Sequence, residues 1–422
     1  EYKYNGSTTG TGMGIVYDSA VTNNADVKLT NTTNTTGGMI GVYTTAPSGT
    51  FTNNGDITGS SSALEFGIVS DGANVINKKT ITLGNAASQA NANVGIYAKA
   101  NNTITNDTTG IINVGDNAIG IYGYNVNNKK DIKAGDNGVA IYTHDTGTSV
   151  NLDSGSTVRV GNNQAVGVYS VGTNQAVGVY TVGSGQNINA NAGSSMTIGD
   201  NSFGIVNVGS GNTVNSQTTN PVTLGTDAVY IYQNDNTGHV FNYTPLSSTG
   251  DRNYGLYGNG TIENYGNIDF STGNGNVGVY STGGTATNFA NIKVGASNTS
   301  AKEYGVGMAT GYYDDTPGSP THGQTFNQGT VINRGTIEVS QPNSIGMYAV
   351  GVGSKAVNYG HINLLGSETV GMYIDRGAVG ENWGTIQTAA SGLTKVKGVY
   401  VANGGYIKNY GTINIAASDS KS

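Results

Sequence analysis

Glycine contributes 67 of the 422 residues, only 11 % of the residues are charged, and the formal net charge is −7. So few charges are unusual for a soluble α/β enzyme, in which about 25 % of residues are charged, and the acidic balance provides no basic face for nucleic acid. Cysteine is absent, which excludes disulfides and cysteine-based metal or thiol chemistry, and no apolar run is long enough for a transmembrane helix.

A short motif of glycine, an aliphatic residue and tyrosine recurs along the chain. Most copies begin 25–28 positions apart, and a fixed period of this size is the signature of a solenoid. The clear copies begin at Gly41, Gly95, Gly120, Gly167, Gly255, Gly278, Gly346, Gly371 and Gly398. Looser copies, such as Gly67-Ile68-Val69 and Gly305-Val306-Gly307, occupy the gaps.

A second motif lies between these copies and reads asparagine, usually an aromatic residue, glycine, any residue, isoleucine. Examples are Asn264–Ile268, Asn358–Ile362, Asn382–Ile386 and Asn409–Ile413. Asparagine and glycine tolerate the left-handed backbone region, so the motif predicts a tight turn. The alternating residues that follow, as in Thr412–Ile415, predict a half-buried strand.

Three short strands in about 25 residues predict one rung of a parallel β-helix. The spacing predicts about fifteen rungs, stacked so that equivalent residues lie above one another. Asparagine at the fixed turn position is expected to pass side-chain amide hydrogen bonds from rung to rung. A left-handed β-helix is the alternative, but it has a six-residue aliphatic period, whereas the long, irregular period and the handedness of parallel crossovers favour the right-handed form.

Strand alternation predicts which side chains of the first motif face the core. In Ala165–Tyr169, Val166 and Val168 share one face, which is assigned to the core, whereas Gly167 and Tyr169 share the other. The tyrosines are therefore expected to form an outer column. Such a column suits stacking between rungs, which is the favoured interpretation, and stacking against sugars is the alternative.

Three departures from the period predict inserted loops. The repeat of Asn163–Tyr169 eleven residues later predicts a bulge near 170–182, and poor strand patterning predicts a second loop over 233–253. The largest gap, from Gly305 to Gly346, predicts an exposed loop over 308–325, rich in proline, glycine, aspartate and tyrosine. Loops inserted in solenoids commonly carry binding function. The candidate binding residues are Tyr312, Tyr313, Asp314, Asp315 and His322; a variable surface loop without function is the alternative.

No motif in the sequence indicates catalysis or a cofactor. Asp116, Asp136 and Asp200 each lie in Gly-Asp-Asn, which is typical of a turn. The four histidines are dispersed without metal-ligand spacing, and no phosphate-binding loop is present. We expect no metal site and no cofactor, and calcium coordination by Asp314 and Asp315 stays an open alternative.

The two repeated motifs, in a cysteine-free chain rich in glycine, asparagine and threonine, resemble the passenger of a bacterial type V autotransporter. Among these proteins the chain is most similar to the large fusobacterial adhesins of the RadD type, and the resemblance covers about residues 10–415. It implies display on the bacterial cell surface, with a signal peptide and a C-terminal outer-membrane barrel outside this sequence. It also implies adhesion to a protein or glycan receptor on host cells or other bacteria. It assigns no binding residue.

The sequence is therefore compatible with three functions. The first is a non-catalytic adhesin passenger that binds through loops projecting from the solenoid, with 308–325 as the first candidate. The second is a β-helical polysaccharide lyase or hydrolase, which needs clustered carboxylates beside a basic residue. The third is a structural spacer whose adhesive part lies elsewhere.

Overall fold

In the computed structural model, the described residues are 2–4, 12–30, 38–59, 64–99, 102–162 and 176–419. The chain folds as a right-handed parallel β-helix with three short strands in each turn, which confirms the predicted fold class. It divides into two compact units, Glu1–Asn220 and Pro221–Ser422. Within the described part the 3-10 helix Gln89–Asn91 is the only helix, and no helix there has the length and apolar character to cross a membrane.

Each turn visits three parallel sheets in the same order. The first contains the glycine-aliphatic-tyrosine motif and is named the tyrosine sheet. The second, the asparagine sheet, mostly ends in the asparagine of the second motif, and the third, the isoleucine sheet, follows the tight turn.

The described residues of the first unit form eight strands in each sheet. Its tyrosine sheet comprises Gly12–Tyr17, Met39–Thr44, Glu65–Ser70, Val94–Ala98, Ile119–Gly123, Val139–His144, Val177–Ser184 and Phe203–Ser210. Its asparagine sheet comprises Thr22–Asn23, Thr50–Asn53, Asn74–Asn77, Thr103–Asn106, Asn125–Asn128, Ser149–Leu152, Asn187–Ala190 and Thr213–Ser216. Its isoleucine sheet comprises Tyr2–Tyr4, Val27–Leu29, Ile57–Gly59, Thr80–Leu83, Ile111–Val114, Asp131–Ala134, Thr157–Val160 and Ser195–Thr197.

The second unit repeats this arrangement. Its tyrosine sheet comprises Val229–Asn234, Tyr254–Gly258, Val277–Ser281, Val306–Thr310, Ile345–Val350, Val370–Asp375 and Lys397–Ala402. Its asparagine sheet comprises His239–Asn242, Thr261–Asn264, Thr285–Asn288, Thr330–Asn333, Lys355–Asn358, Val379–Asn382 and Tyr406–Asn409. Its isoleucine sheet comprises Val222–Leu224, Leu246–Ser248, Ile268–Asp269, Asn291–Val294, Thr336–Val339, His361–Leu364, Thr385–Thr388 and Thr412–Asn414. Tyr312–Tyr313 and Thr325–Phe326 form a separate antiparallel pair.

Asparagine side chains, all buried except the exposed Asn409, form hydrogen-bonded ladders between turns, as the sequence predicted. In the first unit each Nδ2 donates to the Oδ1 of the next turn at 2.9–3.1 Å. That ladder comprises Asn23, Asn53, Asn77, Asn106 and Asn128. In the second unit the distances are 2.7–3.0 Å. That ladder comprises Asn242, Asn264, Asn288, Asn333, Asn358, Asn382 and Asn409.

The tyrosine strands depart from the simple alternation that the sequence suggested. A Cβ on Gly278 would lie 2.6 Å from the Gly307 carbonyl oxygen and 3.0 Å from Cγ2 of the buried Ile292, so this glycine faces the core. Val279, which follows it, is also fully buried. The preceding Val277 is also buried, in a cluster against which the partly buried tyrosines pack. Both aliphatic positions of this copy are therefore buried, whereas its glycine, expected on the outer face with the tyrosine, faces the core. The copy used for that assignment, Ala165–Tyr169, lies outside the described residues.

Two of the three predicted loops fall on segments where the structure describes strands. Of the duplicated segment, 163–175 lies outside the described residues, whereas Val177–Ser184 is a regular strand of the tyrosine sheet. The loop expected over 233–253 is wrong, since this segment contains the strands His239–Asn242 and Leu246–Ser248. Val240 and Leu246 are buried and maintain the register, although polar residues around them weaken the pattern.

Candidate functional site

The predicted loop over 308–325 leaves the second unit between the tyrosine and asparagine sheets. The strand before it continues to Thr310 and the strand after it begins at Thr330, so the excursion covers 311–329. Its ends are held together, because the Gly311 amide donates to the Asn327 carbonyl oxygen at 3.0 Å. Tyr312–Tyr313 then pairs antiparallel with Thr325–Phe326. The loop is therefore a closed projection with a short two-stranded base.

Asp314 organises the interior of this projection. Its side chain is only 4 % exposed, and its carboxylate accepts hydrogen bonds from the Ser319 hydroxyl at 2.6 Å, the Thr321 hydroxyl at 2.7 Å and the Thr316 amide at 2.9 Å. These donors hold the pKa of the Asp314 carboxyl well below its usual range. Asp314 is therefore engaged within the loop itself.

Tyr313 anchors the loop to a later turn of the same unit. The Arg376 guanidinium carbon lies 3.5 Å from the centre of the Tyr313 ring, a cation–π contact. Arg376 also lies 3.7 Å from the Asp375 carboxylate. The half-buried Tyr313 thus holds the base of the loop against the solenoid.

The other three predicted residues point outward. Tyr312 is 47 % exposed, and His322 is exposed at the tip. Asp315 is exposed and forms an ion pair with Lys302 from the preceding connection. The loop therefore separates the five candidate residues into an inner pair, Tyr313 and Asp314, and an outer set formed by Tyr312, Asp315 and His322.

The tyrosine column adapts to the base of the loop. At this level Ala309 occupies the tyrosine position, in register between Tyr280 and Tyr348. The Tyr280 hydroxyl donates to the Gly311 carbonyl oxygen at 2.8 Å. Burial raises the pKa of Tyr280 well above its usual value. In the first unit Val69 likewise occupies the tyrosine position between Tyr43 and Tyr97. Where tyrosines follow one another, the rings stack, with centres 5.1 Å apart for Tyr97–Tyr122 and for Tyr257–Tyr280.

A more exposed aromatic column, which the sequence analysis did not single out, follows the tight turns of the second unit. It lies between the asparagine and isoleucine sheets and is named the aromatic ridge. Its members, one per turn, are Tyr243, Tyr265, Phe289, Arg334, Tyr359, Trp383 and Tyr410. The aromatic position of the second motif marks these residues in the sequence, but the motif by itself predicts only a turn and not that the rings of successive turns stack.

The remaining acidic candidates have structural roles in turns. The Asp136 amide donates to the Asp116 carboxylate, and the Asn162 amide donates to the Asp136 carboxylate, both at 2.8 Å. Each carboxylate thus receives a backbone amide from the following turn. Across the described residues, no group of three or more histidine, aspartate or glutamate side chains is placed to hold a metal ion.

Comparison with known proteins gives one family match. Residues 270–383 are similar to the family described as BigA third pectate lyase-like domain. The match covers the loop, both neighbouring turns and the middle of the aromatic ridge. No curated protein and no solved structure matches the chain.

Proposed function

We propose that this chain is part of a bacterial surface protein and acts as a non-catalytic β-helical binding module. In this proposal the loop 311–329 contacts a protein or glycan receptor on a host cell or another bacterium. The β-helical fold and the similarity of 270–383 to the BigA domain support surface display. The similarity to adhesin passengers adds the adhesive role to the proposal.

The preorganised loop carries the proposal. A binding segment that is already ordered loses less conformational entropy when it meets its partner. Here Asp314 orders the interior, Tyr313 fixes the base on Arg376, and Tyr312 presents an aromatic ring with a polar hydroxyl to solvent. Tyrosine is suited to wet interfaces because it combines apolar area with a hydrogen-bonding group.

Removal of the loop tests the proposal. Residues 312–326 are replaced by a short glycine-serine linker, since Gly311 and Asn327 are already hydrogen-bonded. We expect loss of binding to host cells or partner bacteria, with the β-sheet circular dichroism spectrum retained. Tyr406→Ala is a matched control, because Tyr406 has the same 47 % exposure as Tyr312 but lies outside the loop. Unchanged binding after loop removal contradicts the site and favours a spacer.

The second candidate function is cleavage of a polysaccharide, and the pectate lyase-like character of the matched family favours it. It is tested by incubating the chain with polygalacturonate and sialylated polymers and measuring unsaturated products and new reducing ends. Turnover that is lost in an Asp315→Asn variant would replace the binding proposal by an enzymatic one. Binding without turnover supports the non-catalytic module.

A further inference from the structure

The aromatic ridge is a regular, solvent-facing row within the second unit. Tyr243, Tyr265 and Phe289 stack with ring centres 4.7 Å apart and planes within 8° of parallel. Trp383 lies 4.0 Å from the Tyr410 ring centre. The aromatic members are 38–58 % exposed, whereas the tyrosine column is mostly half-buried. This row therefore has more surface to offer a partner than the tyrosine column has.

The stacking decides which part of each ring is exposed. Because neighbouring rings cover one another's faces, the ring edges face solvent, and an aromatic edge carries partial positive charge. The acidic neighbours are already engaged. The Glu263 carboxylate accepts from the Tyr265 hydroxyl at 2.7 Å, and Glu381 pairs with Lys355 at 3.0 Å. The ridge thus combines apolar contact with a weakly positive edge.

Arg334 adds a full positive charge in the middle of this row. Its guanidinium carbon lies 4.7 Å from the centre of the Tyr359 ring, and it occupies the column position that is aromatic in the other turns. In the part of the second unit that the structure describes, no carboxylate pairs with Arg334. A planar guanidinium without a carboxylate partner in the protein suits bidentate binding of a carboxylate from a ligand.

A row of polar side chains borders the ridge. These residues begin the strands of the isoleucine sheet, are in register from turn to turn, and are each followed by an isoleucine that is buried or, at Ile413, half-buried. They are Asn291, Thr336, His361, Thr385 and Thr412. Their hydroxyl, amide and imidazole groups supply donors and acceptors at the same spacing as the rings. A partner with both apolar ring surface and many hydroxyl groups fits this combination.

The spacing distinguishes a sugar chain from a peptide. Turns of the solenoid repeat at about 4.8 Å, the separation of neighbouring strands. An extended peptide places side chains on one face about every 6.6 Å, which is twice the rise per residue, and this does not match the rows. One pyranose unit of an extended polysaccharide advances by nearly one turn of the solenoid, so successive sugars meet equivalent groups.

We propose that the aromatic ridge binds a linear polysaccharide that carries carboxylate groups, with the sugars aligned along the row and Arg334 bound to a sugar carboxylate. This site is separate from the loop of the proposed function, because it lies between the asparagine and isoleucine sheets rather than between the tyrosine and asparagine sheets.

The single tryptophan of the chain provides the readout, since Trp383 is a member of the ridge. The chain is titrated with alginate and hyaluronan oligosaccharides, with neutral cello-oligosaccharides and with a poly-glutamate peptide, while tryptophan emission is followed. We expect a saturable change with the acidic oligosaccharides. The neutral sugars are expected to bind at least about tenfold more weakly, because they lack the carboxylate and hydrogen bonds to a charged group contribute on the order of that factor or more. The peptide carries carboxylates, but we expect it to bind more weakly as well, because its side-chain spacing of about 6.6 Å does not match the rows.

Variants separate binding from folding. Arg334→Gln and Tyr359→Ala should each weaken acidic oligosaccharide binding by about tenfold or more, whereas Tyr359→Phe should retain it. Thermal unfolding by circular dichroism checks that each variant is folded. Tyr406→Ala, outside both the ridge and the loop, should bind the oligosaccharides as the parent does. Oligosaccharide binding is read separately from cell binding, so failure here and failure of the loop proposal are distinguishable. Equal binding of neutral and acidic sugars, tighter binding of the peptide, or no effect of Arg334→Gln would overturn the proposal.

Discussion

At the scale of single residues, the buried asparagines are the most demanding positions of the second unit. Asn288 accepts from Asn264 at 2.8 Å and donates to Asn333 at 3.0 Å, and all three side chains are fully buried. A buried amide without partners costs about 1–3 kcal/mol for each unsatisfied group. Each asparagine therefore stabilises its own turn and both neighbours.

Replacement of one asparagine of this ladder is expected to lower the stability of the fold. Asn288→Ala should lower the free energy of unfolding by about 2–4 kcal/mol, since it removes one donor and one acceptor from buried partners. Asn189→Ala is the control, because Asn189 belongs to a partly exposed ladder with Asn151 and Asn215, where water replaces the lost bonds. Its expected cost is below about 1 kcal/mol. Equal costs in urea unfolding would contradict the ladder's role.

The inward-facing glycine of the first motif is a second position that tolerates little change, because no space is left for a side chain. Gly278→Ala should destabilise the chain by about 1–3 kcal/mol, because the added Cβ would lie 2.6 Å from a backbone oxygen that cannot move away. Gly283→Ala is the control, since its added Cβ would meet only a side-chain atom at 3.6 Å. Urea unfolding of both variants measures the difference. Comparable stabilities would show that the neighbouring turns can separate.

At the scale of elements, the loop 311–329 is a self-contained unit attached to a regular solenoid. Its internal hydrogen bonds centre on Asp314, and its connection to the solenoid rests on Tyr313 and Arg376. The loop can therefore lose its ordered conformation while the neighbouring turns of the solenoid stay folded. Such separation is expected where a projection can open without unfolding the core.

This separation predicts the effect of removing the central carboxylate. Asp314→Ala should make the loop more sensitive to limited proteolysis within 312–326, because three donors lose their common acceptor. The thermal unfolding midpoint of the β-helix should change little. Mass spectrometry of the fragments locates the cleavage, and Asp315→Ala, which removes only an exposed ion pair, is the matched control. A large fall in the midpoint would show that the loop supports the solenoid.

At the scale of the whole molecule, the half-buried tyrosines of the tyrosine column predict a loss of stability at high pH. Burial raises the pKa of Tyr257 to about 12, with a further contribution from Tyr232, whereas an unfolded tyrosine has a pKa of about 10. The folded state therefore holds this proton more tightly. Its contribution is complete below about pH 10 and is lost as the pH rises toward about 12.

Urea unfolding at several pH values between about 8 and 11 measures this dependence. The midpoint should fall above about pH 10, and Tyr257→Phe should fall less steeply, because phenylalanine has no proton to lose. In a pH titration, tyrosinate absorbance should appear at higher pH in the folded chain than in the chain unfolded by urea. A midpoint that is independent of pH over this range would contradict the burial of the column.

The fold was predictable because its determinants repeat. Glycine before an aliphatic residue, and asparagine before an aromatic residue and glycine, marked the strands and the turn in most copies, so one noisy turn did not alter the prediction. Strand alternation places the glycine of the first motif on the outer face with the tyrosine, whereas Gly278 faces the core, because a two-residue period cannot report an inward bend. The prediction of a loop over 233–253 was wrong because polar residues separate the buried residues of its strands and obscure the strand pattern.

The candidate site was less accessible to sequence reasoning. The gap between Gly305 and Gly346 located the loop, since an insertion disturbs the period. Composition alone does not distinguish the inward Asp314 from the outward Asp315. Which carboxylate is buried depends on how the loop folds back to bring the Ser319 and Thr321 hydroxyls to it. The members of the aromatic ridge occupy one position of the second motif, Arg334 included, but that the rings of successive turns stack on one another and that Arg334 lies over Tyr359 depends on the alignment of the turns in space.

The direction of the buried asparagine ladders has a consequence for how a chain of this kind changes length. Within each unit every inner amide nitrogen donates toward the later turn, so each rung contributes one donor and one acceptor of fixed polarity. Where Leu152 follows Asn128 in the register, the Asn128 amide nitrogen has no partner. Whole rungs that carry the asparagine are thus interchangeable building blocks, and gain or loss of one by gene duplication leaves the polar chain intact, whereas a rung without it ends the series.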